Sequence, residues 1–414
     1  MRLKKMAVIV LIGVNMILLT SCFDYTEYEE MQLIFGLGVD SGTNGDVIVT
    51  IQSSGFKKTN MQAMGGDSGS SMGSQNSTMY KASGKTVLDA LNQLQQITGK
   101  ELFFGYIKVI IIGAEAAKKD MDNIMAFFYM SPRIRGSAYL LIAKNTAYDT
   151  LGTVNLNDSD LSAQSLENMV KKSVRSGVSF PIRLSNYYNI ILTDGWNAAI
   201  PQVEYQQVSS GEQGGEKTVV NDTNPSIVPE KEGYHLVRNM VVFKDNKKVG
   251  VLDEIETMCY GFITGKKIKS SYVVKDKDTH DQDYVMGLRF LHNRSRINTH
   301  INNNQIKIDI DIDLQASIEE YQGDEALANI DVIKNFEADL SASLKNEIQT
   351  CIYHVQKNYE ADIFGFGNRV FQQYPYKWQE ELQDKWEDIF LIVDTDVRVT
   401  AKILNTGSNL EPFK

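Results

Sequence analysis

The sequence predicts a multi-domain α/β protein (mixed α and β), with mixed sheets, packed helices and a long amphipathic helix in a C-terminal domain. Three observations carry that expectation. Short β-type runs alternate with helix-period segments through the first half of the chain. An apolar stripe of helical spacing runs through residues 336–359. The 414 residues, 43% of them hydrophobic with only seven prolines, give room for two or three cores and do not have the composition of disorder.

The chain opens on a processing signal. Arg2, Lys4 and Lys5 precede an apolar run from Met6 to Leu19 whose one strongly polar member is Asn15, the layout of a secretory signal peptide over residues 1–21. The run is short for a bilayer span, which takes about 20 apolar residues. Leu19-Thr20-Ser21-Cys22 resembles the bacterial lipobox, in which an aliphatic and two small residues lead into the cysteine that becomes the new N-terminus. Cys22 is therefore the expected lipidation site: its thiolate is alkylated by a lipid-borne diacylglycerol, and fatty acyl chains such as palmitate complete the anchor.

Loss of residues 1–21 removes three cations and no anion, so the net charge moves from −10 to −13. Such a chain is repelled by anionic head groups, so lipid rather than surface charge must hold it on a membrane. Nucleic-acid binding is not expected either, because no basic stripe with interleaved aromatics is present. Cys259 and Cys351 lie in apolar-periodic segments and read as buried thiols; the sequence leaves open whether they pair.

Along the first domain, residues 22–205, "LIFGLGVD" and "DVIVTIQ" read as a hairpin turning at Asn44-Gly45. The loop "GGDSGSSMGSQNS" has nothing to pack. Thr86 starts a helix with Asp89 completing a capping box, Val87, Leu91 and Leu94 on one face, and Gly99 as its stop. "ELFFGYIKVIIIG" and "GSAYLLIAK" read as buried strands, and residues 114–130 as a helix between them. A polar stretch over 206–232 reads as a connector or long exposed hairpin, and a domain boundary is expected there.

A middle domain is expected over 233–300, opening with "HLVRNMVVF" and "KVGVL" as a hairpin and a short helix at 254–260. Residues 284–314 read as β runs broken by "NNN", with a C-terminal domain over 301–414. There Phe336, Leu340, Leu344, Ile348, Ile352, Val355 and Tyr359 form the stripe of a helix of about seven turns. The alternation of Leu391, Val393, Val397 and Val399 with polar residues predicts a final half-buried strand.

Candidate chemistry is sparse. Gly66-Asp67-Ser68-Gly69 mimics a serine-protease nucleophile, but no histidine precedes His235 to serve as its base in the usual order. Asp309, Asp311, Asp313 and Glu320 approximate a calcium-loop spacing, yet Leu314 stands where glycine should turn the loop, and the strict Ile/Asp alternation predicts a strand instead. Gly36-Leu37-Gly38 lacks the third glycine of a dinucleotide fingerprint. His235, His280, His292, His300 and His354 never pair at metal-ligand spacing. No catalytic residue, metal or cofactor is expected, which points to a binding or structural role.

The start at Cys22-Phe23-Asp24, "GLGVD", "GKTVLDAL", "GYIKVIIIG", "SPRIRGSAYLLIAKNTAYDTL", "VVFKDNKKVGVLDEIET" and "NYEADIFGFGNRVFQQYPYKW" together resemble the Ger(x)C family of spore germination lipoproteins over residues 22–405. The most specific stretch is Asp362-Ile363-Phe364-Gly365-Phe366-Gly367 with Pro375 and Trp378, for which chain reversal and core packing predict a scaffold role. Phe23 and Tyr106 depart from the tryptophan and histidine common at those places.

The resemblance implies three α/β domains and a non-enzymatic C subunit of a nutrient germinant receptor. It also implies a lipid-anchored position at the outer face of the spore inner membrane and integral membrane A and B subunits as partners. Whether this subunit binds the small-molecule germinant itself is left open. Only Cys22 carries over as a defined functional position. The alternative, a solute-binding lipoprotein of a transporter, predicts two similar lobes and a hinge, whereas the two halves of this sequence are unlike.

Overall fold

The computed structural model describes residues 28–55, 76–155, 161–207, 226–228, 231–276, 284–302, 305–323, 327 and 329–405. The signal segment, Cys22, Phe23, the Gly-Asp-Ser-Gly tetrapeptide and most of the polar stretch lie outside them. The mixed α/β class holds, with the strands gathered into two sheets.

Strands β1 (Met31–Ser41) and β2 (Val47–Gly55) form the expected hairpin, with Asn44 (φ 57°) and Gly45 (φ 76°) in the left-handed region at its turn. β3 (Asn76–Gly84) adds to β2, and the helix Val87–Thr98 follows. Thr86 Oγ1 accepts from Asp89 N at 3.1 Å, while Asp89 Oδ2 accepts from Lys85 N, one residue earlier than a capping box would place it. Gly99 (φ 63°) ends the helix as expected.

Two elements differ from the periodicity. The run at 101–113 is not one strand but β4 (Glu101–Phe103), a turn (Phe104–Tyr106) and β5 (Val109–Ile112). Both strands pair parallel with β1, and between the two pairings β1 advances from Leu33 to Gly36 while its partner advances from Phe103 to Val109, so the turn absorbs the surplus. The helical segment is two helices, Ala114–Lys119 and Met121–Met130, breaking at Asp120, whose Oδ2 accepts from Ser41 Oγ at 2.6 Å.

β6 (Tyr139–Ala143), β7 (Thr153–Asn155), β8 (Ile182–Arg183), β9 (Ala199–Gln207), β10 (Ser226–Val228), β11 (Lys231–Lys244) and β12 (Lys247–Leu252) complete a twelve-stranded sheet. Its main order is β10-β3-β2-β1-β5-β6-β9-β11-β12. β11 pairs antiparallel with β9 from Gly233↔Gln207 to Val242↔Ala199, so the polar stretch joins neighbouring strands of one sheet. Val237, Met240, Val241 and Val242 of β11 are buried, which is why the sheet takes up this strand.

The second sheet is β13 (Ser271–Asp276), β14 (Tyr284–Asn302), β15 (Gln305–Gln322) and β16 (Asp394–Asn405) in sequence order. The boundary expected at 300/301 falls inside the β14–β15 hairpin, whose ladder continues to Asn302↔Gln305. On β15, Ile306, Ile308, Ile310 and Ile312 are buried, whereas Arg398 bridges Asp311 at 2.8 Å and Asp309 at 3.0 Å on the opposite face, as strand alternation requires.

The long helix Ile330–His354 lies on this sheet, burying Phe336, Leu340, Leu344, Ile348 and Ile352, and its last turn is a π-helix, Val355–Tyr359. The core beneath it continues through Phe180, Ala199 and Val242 of the first sheet's elements. Leu344→Ala should therefore lower the unfolding free energy by about 2–5 kcal/mol, while Lys345→Ala, exposed on the same helix, should change it by less than about 0.5 kcal/mol, both read from urea unfolding.

Candidate functional site

The motifs singled out in the sequence converge on two buried carboxylates. At the end of β1, the Asp40 of "GLGVD" is buried, and its Oδ1 and Oδ2 accept from Ala147 N at 2.8 Å and Tyr148 N at 2.9 Å. These amides open the short helix Ala147–Leu151, whose first N–H groups have no partner within the helix. Gly113, the last residue of "VIIIG", must lack a side chain here, since a Cβ would stand 1.9 Å from Asp40 Oδ1. Gly36 and Gly38 let the same helix lie on β1: a Cβ on Gly36 would meet Leu151 at 2.6 Å. Three separated motifs thus build one joint.

The second carboxylate is Asp362, at the head of "DIFGFG". Its Oδ1 accepts from Gly365 N at 2.9 Å and Phe366 N at 3.1 Å, and its Oδ2 from Gly367 N at 2.8 Å and Trp386 Nε1 at 3.1 Å. Its backbone meets the first half of the chain. Asp362 N donates to Asn197 Oδ1 and Asn197 N to Asp362 O, each at 2.8 Å, and Trp196 Nε1 donates to Ile363 O at 3.4 Å. Gly365 (φ 73°) supplies the left-handed turn into the helix Phe366–Gln373. A Cβ on Gly367 would lie 2.5 Å from Trp386 Nε1 and 2.6 Å from Gly195 O. The expected scaffold role is what this geometry describes. Gly195, Trp196 and Asn197, which complete the joint, carry no sequence pattern that would have singled them out.

Burial pushes both carboxyls up to about 6, although the amides and, at Asp362, the Trp386 indole pull the other way. Neither carboxylate is paired with a base or nucleophile; their donors are the two helix openings and an indole. Beside the Asp362 joint lies a cleft of about 880 Å³ lined from both halves of the chain.

The other residues weighed from sequence are dispersed. His235 is buried with Nε2 at 2.7 Å from Thr150 O, and burial pushes its pKa down. His354 contacts Glu256, and His300 lies 3.3 Å from Asp309. Cys259 and Cys351 are free buried thiols, and the hydrogen bond that the Cys351 thiol donates to Cys259, together with burial, pushes the Cys351 thiol up. Tyr106 is half exposed and stacks on Phe35. Among the described residues no three His, Cys, Asp or Glu side chains gather as a metal site would require.

Comparison with known proteins follows this geometry. Residues 24–205 match the family described as spore germination protein N-terminal domain, and residues 238–407 the one described as spore germination B3/GerAC like, C-terminal. Spore germination protein KC of Bacillus subtilis (strain 168) is 20% identical over 99% of this chain and 98% of its own. Spore germination protein B3 of the same organism is 21% identical over 94% and 95%. The crystal structure of the GerBC protein shares the fold at a TM-score of 0.52 and 16% identity, covering 89% of this chain and 97% of that one. The C-terminal match begins on β11, so the strands that complete the first sheet are matched with the second.

The raised carboxyl at Asp362 sets a pH dependence. The folded state holds its proton up to about 6 while the unfolded carboxyl releases it near 3.8, so this site stabilises the fold fully below pH 3.8 and less as pH rises through 6. The difference amounts to about 3 kcal/mol. Urea unfolding between pH 4 and 7 should show a shallower fall for Asp362→Asn than for the wild type, by one proton's linkage.

Proposed function

The chain belongs to the GerAC, or Ger(x)C, family of spore germination proteins, and from that premise we propose that it acts as the non-enzymatic C subunit of a nutrient germinant receptor. In this reading Cys22 carries the lipid, and the body sits at the outer face of the spore inner membrane, assembled with integral membrane A and B subunits. The observation that carries it is the full-length correspondence with spore germination proteins, together with the use of the shared motifs as structural joints rather than as reacting groups.

Physical chemistry supports the tether. No helix among the described residues is long and apolar enough to cross a membrane. The processed chain's charge of −13 opposes adsorption to anionic lipid, so the acyl chains must supply attachment. Each buried CH₂ contributes about 0.8 kcal/mol, which makes one chain marginal and two or more stable. Eight residues lie between Cys22 and Met31, a reach of at most about 30 Å, so the tether confines the folded body near its membrane partners and raises their effective concentration.

A transporter's solute-binding lipoprotein would need two similar lobes. Here one sheet has twelve strands and the other four, which disfavours that alternative.

Replacing Cys22 with Ala should release the protein from the spore membrane fraction and reduce nutrient-triggered germination. Unchanged retention would remove the anchor from this account; loss of retention with normal germination would make the tether dispensable for signalling.

A further inference from the structure

The cleft beside the Asp362 joint differs in charge from the chain as a whole. Its walls come from four segments: the helix Leu184–Ile191 with Trp196, the end of the helix Glu254–Ile263 with the turn after it, β14, and the helix Phe366–Gln373. In a chain with ten more acidic than basic residues, no Asp or Glu lines it, while Lys266, Arg296 and Arg369 do. Side-chain amides accompany them at Asn186, Asn189, Asn298, Asn368 and Gln372.

Several of these groups have bonding capacity left. Lys266 has no carboxylate within ion-pair distance among the described residues, and burial pushes its pKa down because nothing there compensates the charge. Tyr260 lines the cleft at 8% exposure, and among the described residues its hydroxyl has no hydrogen-bond partner. Burial pushes that hydroxyl up to about 12, so it stays protonated and can donate. Among the described residues the Arg369 guanidinium reaches only the amide oxygen of Gln372, at 3.1 Å, and Arg296 is the one cation of the three shared with a carboxylate, Asp313 at 3.2 Å. Phe180, Trp196 and Phe364 give the lining apolar faces against which a small carbon skeleton can rest.

We propose that this cleft is a binding site for a small polar molecule bearing a carboxylate or a phosphate. Lys266 and Arg369 neutralise the anionic group, and Tyr260 and the amides hydrogen-bond the remainder. The volume, about 880 Å³, is that of a small-molecule site. Because its walls come from both halves, an occupant stiffens the contact between the two sheets. The inference goes beyond the receptor assignment and does not rest on the lipid anchor.

The test titrates the full chain in detergent micelles with inorganic phosphate, citrate and L-glutamate, by calorimetry and by tryptophan fluorescence, since Trp196 lines the cleft. At least one anion should bind saturably with one-to-one stoichiometry. Lys266→Gln and Arg369→Gln should each weaken it by about tenfold or more, without changing the unfolding midpoint in the absence of anion. Tyr260→Phe, which removes a single oxygen, serves if either charge variant fails to fold, and should also weaken binding. No saturable binding of any of the three up to about 10 mM, a concentration that reaches even weak sites, would overturn the proposal. So would equal affinity in the Lys266→Gln/Arg369→Gln double variant, which would place the anion elsewhere; binding only of an acidic peptide, tested alongside, would mark a protein contact instead.

Discussion

A buried carboxylate with four donors fixes the loop whose backbone joins the two halves of this molecule. Removing the Asp362 side chain from water costs several kcal/mol, and the three amides of residues 365–367 and the Trp386 indole offset that cost with charge-assisted hydrogen bonds. Those amides are the orphan N–H groups at the opening of the helix Phe366–Gln373, so one side chain both caps the helix and fixes its approach. The reciprocal bonds between the Asp362 backbone and the Asn197 amide nitrogen and side-chain oxygen then tie this knot to the first sheet, 165 residues away in sequence. Packing at Gly195 and Gly367 leaves no room for a Cβ, which makes the joint rigid as well as bonded.

Asp40 repeats the device within the first half. It caps the helix Ala147–Leu151 from the end of β1, and the glycines around it let strand, helix and carboxylate approach closely. The motifs "GLGVD", "VIIIG" and "DIFGFG" therefore converge on shape.

Local patterning was legible because its physics is local. The Asn44-Gly45 turn, the Thr86 cap, the Gly99 stop and the stripe from Phe336 to Ile352 are each decided by residues a few positions apart. The Ile/Asp alternation of β15 separated strand from calcium loop for the same reason. What failed was decided at a distance. The run at 101–113 breaks because both of its pieces must pair with one shorter stretch of β1, and the helix breaks at Asp120 where Ser41 bonds it. The polar stretch at 206–232 has the composition of a linker, and that it joins two paired strands, β9 and β11, shows only in their ladder. Gly195, Trp196 and Asn197 were invisible to periodicity, since their partners lie in the last quarter of the chain. Cys22, the one defined functional position read from sequence, lies outside the described residues.

Amide hydrogen exchange on wild type and Asp362→Ala tests most directly whether one carboxylate couples the halves. The coupling account predicts core-like protection at residues 195–197 and 365–367 in the wild type. In the variant, protection should be lost at both segments together while Val109–Ile112 in the centre of the first sheet stays slow. Unchanged protection at 195–197 would contradict it, showing that the sheets are held against each other by their apolar core alone.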